Sequence, residues 1–485
     1  MSYESLVVLL FHAVLAPATA VHALLFKREP RGAFGWIAVC VLFPLAGPVV
    51  YLFFGLNRTR SRAQRSPMPG LVARECGDAV QPPLPADLPV PYHGLAVSGR
   101  ALSRHALVGG NTVEPLFNGE QAYPAMLEAI ESARRRVWLT TYLFDNDTTG
   151  RRFGQALAAA ARRGVDVRVI TDGVGEWYAL PRASRRLARD GVRTARFLPP
   201  GLLPPSLSIN LRNHQKILVV DDRLGFTGGM NIGDRHNIED PDNRRPTADM
   251  HFCLSGPVVA QLGQEFRRAW TFCTGEPDAA EAVPEAAAEA ERQHDAQDAG
   301  DTRFLRCRTM TDGPDEDLDR LTMLLSAAIA SARRSIRIMT PYFLPPRELV
   351  GALQSAAIRD IDVQIVLPAV NNLPYVHWAT RNMLWELLFR NVRVNYQPPP
   401  FNHAKLFVVD EYYSLIGSTN WDPRSLRLNF ELQIEVYGSA LARLLNDYID
   451  RAARAGRQVT LSEVDGRSVP TRLRDAACWL FSPYL

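Results

Sequence analysis

The sequence predicts an α/β protein: two tandem copies of one α/β domain behind an N-terminal two-helix membrane hairpin. Three observations carry this prediction. Two long apolar runs lie near the N-terminus, short blocks recur at a nearly constant separation, and β-branched segments alternate with Ala-rich ones inside each copy. At 485 residues, 47% hydrophobic and 22% charged, the chain has room for two or three domains and is too apolar to be disordered. Its six Cys form no CxxC pair, which excludes a disulfide scaffold and the usual zinc spacings and fits a reducing compartment.

The first element is the hairpin, within residues 1–65. Residues 6–26 are apolar apart from His12, Thr19 and His22, and residues 33–56 carry no charge. Runs of about 20 apolar residues cross a bilayer core. The joining segment, 27–32, is too short for a domain, so the two spans predict a hairpin with both ends on one side. Lys27, Arg28 and Arg31 lie in the turn; Arg58, Arg60, Arg62 and Arg65 follow the second run and weigh slightly towards a cytoplasmic body. Pro17, Pro44 and Pro48 would kink the spans, so a shallow re-entrant hairpin is a second form. Residues 66–92 contain seven Pro and read as an extended linker.

Two copies follow, at 93–275 and 302–485. Ala129-Ile-Glu-Ser-Ala-Arg-Arg135 matches Ala328-Ile-Ala-Ser-Ala-Arg-Arg334, and Gly164-Val-Asp-Val-Arg-Val-Ile170 matches Asp360-Ile-Asp-Val-Gln-Ile-Val366. Each copy reads as a helix ending in an Arg pair (126–136; 321–334), then a strand (137–142; 336–343). A second helix (153–163; 348–357) and a second strand (165–171; 361–367) come next. That alternation predicts a largely parallel or mixed sheet. Between the copies, residues 276–301 hold nine acids and one Arg with few large apolar groups, which predicts an exposed acidic linker.

The strongest repeat carries chemistry. His214-Gln-Lys216 and four apolar residues lead to Asp221, and six residues later comes Gly228-Gly-Met-Asn231. His403-Ala-Lys405 leads at the same spacing to Asp410 and then Gly417-Ser-Thr-Asn420. On a strand, His and Lys two apart share a face. Each copy thus offers an imidazole, an ammonium and an amide or hydroxyl, and pairing the copies surrounds one anion with two of each. Such a set suits phosphoryl transfer: lysines neutralise the oxygens, one His attacks phosphorus, and the other protonates the leaving oxygen. It needs no metal and no cofactor. Asp221 and Asp410 fall off the His/Lys face, so anchoring a strand end and direct chemistry stand as equal readings. Arg supplies nearly every cation: of 55 Lys and Arg only Lys27, Lys216 and Lys405 are lysines, and two of these are the motif residues.

These paired motifs resemble those of the phospholipase D superfamily, whose fold implies two phospholipase D-like α/β domains packed as a pseudo-dimer. Within it, the chain is similar to the bacterial cardiolipin synthases. The matching segments are Arg31-Gly-Ala-Phe-Gly-Trp36, Pro44-Leu-Ala-Gly47, Tyr51-Leu-Phe-Phe-Gly-Leu-Asn-Arg58, Gly109-Gly-Asn111, Tyr142 to Asp147, and Asp422-Pro-Arg-Ser-Leu-Arg-Leu-Asn-Phe-Glu431. The resemblance implies transfer of a phosphatidyl group between two phosphatidylglycerol molecules at the bacterial inner membrane, through a phosphatidyl-histidine. By that resemblance His214 is the choice for nucleophile and His403 for acid and then base, with the reverse assignment open because the motifs are near-symmetric, within a catalytic set of His214, Lys216, Asp221, His403, Lys405 and Asp410. Asn231, Ser418 and Asn420 are expected to bind phosphate oxygens, and Asp249 and Glu431 to orient the histidines. Hydrolysis by the same residues, or transfer to another acceptor, is the alternative; a nuclease would need a basic groove and leaves the hairpin unexplained, so nucleic acid is not an expected partner. The chain departs from the family pattern at Thr247, where a Trp is usual, and at His236, where a Tyr is usual. Both departures fall where the acceptor is expected.

Overall fold

A computed structural model describes residues 11–27, 30–43, 45–55, 84–200, 211–276, 305–314 and 319–482. Most of the expected Pro-rich linker, nearly all of the expected acidic linker and the far half of the Pro-rich segment 197–205 lie outside these residues. The chain divides into two compact units: one holds the N-terminal helices and the other the rest of the described chain.

In the first unit a short π-helical turn, Phe11–Leu15, runs into the helix Ala16–Phe26, and Pro30–Leu42 returns beside it. Small side chains line the contact: Ala16, Ala23, Ala33, Cys40 and Gly47 are buried. Small residues let helices approach closely where no water drives them together. The Tyr51 hydroxyl meets His22 Nδ1 at 2.8 Å, and Trp36 stacks edge-on against the Tyr51 ring. The second apolar run does not form one rod. It is interrupted after Leu42 and resumes as Ala46–Val50 and the π-turn Tyr51–Gly55. Among the described residues no helix is long and apolar enough to cross a membrane.

The second unit is α/β, with the repeat visible strand by strand. The first copy contributes β1 (Val108–Phe117), β2 (Arg136–Thr141), β3 (Asp166–Asp172), β4 (Arg193–Phe197), β5 (Arg212–Asn213), β6 (Ile217–Val220), β7 (Leu224–Gly228), β8 (Thr247–Ala248) and β9 (Met250–Ser255). The second contributes β10 (Leu305–Asp312), β11 (Ser335–Met339), β12 (Asp362–Pro368), β13 (Arg393–Gln397), β14 (Phe401–Asn402), β15 (Leu406–Val409), β16 (Tyr413–Gly417), β17 (Asn429–Tyr437) and β18 (Arg457–Gln458). One continuous sheet runs β18-β13-β12-β11-β15-β16-β17-β10-β1-β9-β7-β6-β2-β3-β4. Apart from the edge strand β18, the order on one side of the central β1–β10 pair mirrors the order on the other. In each copy three parallel strands join an antiparallel meander.

The packing follows the same symmetry. The strands after the lysines, Ile-Leu-Val-Val and Leu-Phe-Val-Val, are buried throughout, as strands covered on both faces must be. One core is common to both copies: Ile217, Val219, Phe252 and Phe266 of the first share it with Leu406, Val408, Ile416 and Leu445 of the second. Each copy has a second core under its outer helices, and that of the second copy also takes in Leu95 and Ala96 of the helix His93–Leu102. Local signals set the ends of these helices. Thr148–Arg162 begins on Asp147, whose carboxylate accepts the Gly150 N–H at 2.9 Å, and Gly164 takes φ +86° just past its end. The seam is fastened by Asn111, fully buried, whose amide donates to the carbonyls of Val108 and Leu305 and accepts the Val258 N–H.

Candidate active site

Both HxK motifs lie where the chain changes partner. In the first, β5 pairs with β17 of the other copy, whereas β6, four residues later, pairs with β2 of its own. In the second, β14 pairs with β8 across the molecule and β15 pairs with β11 at home. Residues 214–216 and 403–405 therefore bridge two short strands and are not themselves in a strand. The expected sharing of a strand face is replaced by a direct tie: each lysine Nζ donates to the carbonyl of its own histidine, at 2.7 Å for Lys216 and in the same way for Lys405.

The crossing hands each histidine to the opposite copy. The His214 N–H donates to the Phe430 carbonyl at 2.9 Å and the His403 N–H to the Ala248 carbonyl at 2.7 Å. One residue further along those partner strands stand the carboxylates. His214 Nδ1 meets Glu431 at 3.0 Å, and His403 Nδ1 meets Asp249 at 2.9 Å. A carboxylate on Nδ1 fixes that nitrogen as the N–H and leaves Nε2 as the free lone pair. Sequence spacing gave no hint of this exchange, because each carboxylate follows its own motif in the chain yet serves the other.

The two carboxylates are seated differently. Asp249 stands over Gly229, where an added Cβ would lie 2.3 Å from Oδ1, so the GG form of the motif makes room for the shorter acid. Glu431 stands over Ser418, whose hydroxyl donates to it while accepting the Leu432 N–H at 3.0 Å. Ser418 is fully buried and occupied in this way, so its partner is the Glu431 carboxylate and not an open phosphate position. Asn231 Oδ1 accepts the Leu143 N–H at 3.1 Å, and Asn420 Nδ2 meets Ser425 at 3.2 Å. Asn420 Oδ1 is buried and has no partner among the described residues.

Burial dominates the electrostatics. It pushes Lys216 down to about 7 and Lys405 to about 8, and each keeps Glu431 and Asp249 as compensating charges. It lowers His214, and with Lys405 it lowers His403 to about 3, so burial works against the imidazolium on both rings. Although burial works the other way, the His403 ring and Lys405 hold Asp249 well below the usual carboxylate range. His214, Lys216 and Ser418 likewise hold Glu431 down against its own burial. The Glu431 carboxylate meets both His214 of the first motif and Ser418 of the second, which places the two motifs around one shared space. Tyr142 and Tyr342 flank that space symmetrically, with ring centres 5.5 Å from His214 and 6.2 Å from His403.

Asp221 and Asp410 are spent elsewhere. Asp221 accepts the N–H groups of Arg134, Arg135 and Arg136 at 2.8, 2.7 and 2.9 Å. Asp410 accepts those of Arg333, Arg334 and Ser335, with the Tyr92 hydroxyl at 3.3 Å. Both take left-handed φ, 52° and 54°, at the far end of the strand from the lysine. Of the two sequence readings, this geometry is the anchoring one: the side chains pin the turn that launches β2 or β11.

Three buried groups beside the site carried no signal in the repeat. His236, whose Nδ1 meets the Thr247 carbonyl at 3.1 Å, and His251 are buried, which lowers them to about 4 and about 3. Asp422, raised by burial to about 7, caps the helix Pro423–Arg427 by accepting the Ser425 N–H at 2.7 Å. It stands where the first copy has Gly233, so alignment of the copies alone could not mark it.

Comparison with known proteins bears on this geometry. Residues 126–270 and 325–453 match the family described as "Cardiolipin synthase, PLD-like domain", and residues 14–55 match "Phospholipase D-nuclease N-terminal". The chain is 30% identical over 482 residues to cardiolipin synthase A of Pseudomonas putida strain KT2440, covering 97% of this chain and 96% of that one. It is 30% identical over 469 residues to the cardiolipin synthase of Geobacillus thermodenitrificans, covering 95% and 90%. Among solved structures, phosphatidylserine synthase of Haemophilus influenzae superposes with a TM-score of 0.61 at 16% identity, over 81% of this chain and all of that one, which shows a common fold.

Proposed function

The chain belongs to the phospholipase D-like cardiolipin synthase family, and we propose that it joins two phosphatidylglycerol molecules into cardiolipin and glycerol through a phosphatidyl-histidine. The observation that carries the mechanism is the reciprocal pairing, His214 on Glu431 and His403 on Asp249, with a lysine beside each ring.

In this reading His214 Nε2 attacks the phosphorus of the first lipid. The P–N bond forms as the bond to the glycerol headgroup oxygen breaks, and His403 gives that oxygen a proton. The burial of His403 does not prevent this, because a phosphodiester anion arriving beside it favours the imidazolium. A glycerol hydroxyl of the second lipid then attacks phosphorus and returns its proton to His403, and the P–N bond breaks. Lys216 and Lys405 neutralise the non-bridging oxygens, where developing charge is best met by donors already in place. The NH2 ends of Asn231 and Asn420 add further donors. Ser418 acts one step back, by fixing Glu431.

The hairpin is the membrane element of this scheme. Leu24, Phe26, Phe34, Leu42 and Phe43 are each at least 60% exposed, and the second helix stops at Leu42 before the run resumes as the short helix Ala46–Val50. That combination suits a hairpin sunk into one leaflet of the bacterial inner membrane beside the lipid substrates, the re-entrant form of the two that the sequence allows. Expression in a cardiolipin-deficient host tests the function: mass spectrometry should find cardiolipin restored by the wild type and absent with His214→Ala or His403→Ala. Cardiolipin formed by both variants would overturn the mechanism.

A further inference from the structure

The loop that follows β3 differs from its surroundings in three respects. Trp177, Tyr178 and Leu180 are 55%, 72% and 73% exposed within four residues, whereas Gly173, Gly175 and Glu176 beneath them are buried. Scattered exposed apolar residues need no explanation, but a contiguous group of this size does. Residues 173–189 also hold four Arg against a single acid. That acid, Glu176, is turned inward, 4% exposed, and accepts the Ser184 N–H at 2.9 Å. Arg185 and Arg189 are exposed, and Arg182 lies 5.7 Å over the Trp177 ring. An apolar, aromatic tip with a collar of four Arg, offset outward only by the exposed Asp190 after Arg189, is the composition of segments that sit at the level of anionic lipid headgroups.

The loop is also coupled to the site. Asp172 Oδ1 accepts the N–H groups of Val174 and Gly175 at 3.0 and 2.8 Å, which holds the base of the loop rigid, while its Oδ2 accepts the Asn213 N–H at 2.9 Å, next to His214. Gly175 packs against the Tyr142 backbone, where an added Cβ would lie 2.1 Å from the carbonyl oxygen, so the loop runs beside the residue whose ring flanks His214. The second copy repeats the arrangement in a reduced form. After β12, Val370 and Tyr375 are 63% and 41% exposed, and Asn372 between them accepts the hydroxyl of Tyr342, the ring beside His403, at 2.9 Å.

We infer that residues 174–182, with the smaller rim at 370–375, form a docking surface that seats the mouth of the catalytic body on an anionic phospholipid surface. This rests on the proposed lipid chemistry but adds a separate contact, carried by the body and independent of the hairpin. The occupant is a lipid surface and not a protein, because the outward charge around the tip is net positive and the base of the loop is tied through Asp172 to Asn213, next to His214.

The test uses the full chain and measures glycerol release, which reports attack on phosphatidylglycerol whatever the acceptor. Trp177→Ser/Tyr178→Ser/Leu180→Ser should slow release from long-chain phosphatidylglycerol vesicles about tenfold and leave release from monomeric short-chain phosphatidylglycerol within about twofold. Equal losses on both substrates, or a loss on neither, would overturn the proposal. A second measurement keeps it falsifiable if the triple variant does not fold. Brominated phosphatidylglycerol vesicles should quench wild-type tryptophan fluorescence more than that of Trp177→Phe; identical quenching would place Trp177 away from lipid and overturn the proposal. Failure of the cardiolipin assignment would instead appear as a changed product with this quenching intact.

Discussion

At the scale of single residues, the site separates cations by geometry. Lys216 and Lys405 are buried and each bonds the carbonyl of its own histidine. A planar guanidinium cannot take the place of a compact ammonium there. Lys216→Arg and Lys405→Arg should each lower turnover by about 10² to 10³ with the melting temperature unchanged, and Lys27→Arg should match wild type; initial rates on phosphatidylglycerol vesicles check all three. Glu431→Gln and Asp249→Asn keep the shape but lose the charge that supports an imidazolium, so each should cost about 10² to 10⁴ in kcat, again by initial rates. The pH profile follows from the lysines. A lysine is cationic below its pKa, and burial brings Lys216 and Lys405 down to about 7 and about 8. kcat/KM, which reports the free enzyme, should therefore fall as pH rises through 7 to 8. kcat should hold to higher pH, because a bound phosphodiester favours the ammonium form.

At the scale of elements, the HxK segments are junctions. Because β5 and β14 pair across the molecule while β6 and β15 pair at home, each histidine belongs by sequence to one copy and by hydrogen bonding to the other. The sequence shows the matched spacing of His214 to Asn231 and His403 to Asn420, since spacing is local, but not the exchange, since pairing between copies is not. The elements themselves were legible where periodicity was strong. The strand expected at 165–171 forms as β3, Asp166–Asp172. The helix expected to begin at 126 starts earlier, at Asn118, because Pro124 sits inside it and reads in sequence as a break. The motif aspartates were read both ways, and only the hydrogen bonds decide between them. Asp221→Ala and Asp410→Ala each strand three backbone N–H groups. Calorimetric melting should show a loss of about 1 to 3 kcal/mol, with kcat of the folded fraction close to wild type.

At the scale of the whole molecule, duplication is the source of the active site. One copy alone has an imidazole without its carboxylate; the other copy completes it, and the antiparallel β1–β10 seam with its common core makes that completion permanent. The N-terminal unit was read from composition as two spans. Its apolar character is present in the exposed side chains, but the second run is divided after Leu42 into pieces that hydropathy alone joins together. The central claim is that two lipids, and not a lipid and water, meet at the paired histidines. Product analysis of the purified chain on phosphatidylglycerol vesicles tests it most directly: cardiolipin and glycerol should appear in equal amounts, and phosphatidic acid without cardiolipin would contradict the account.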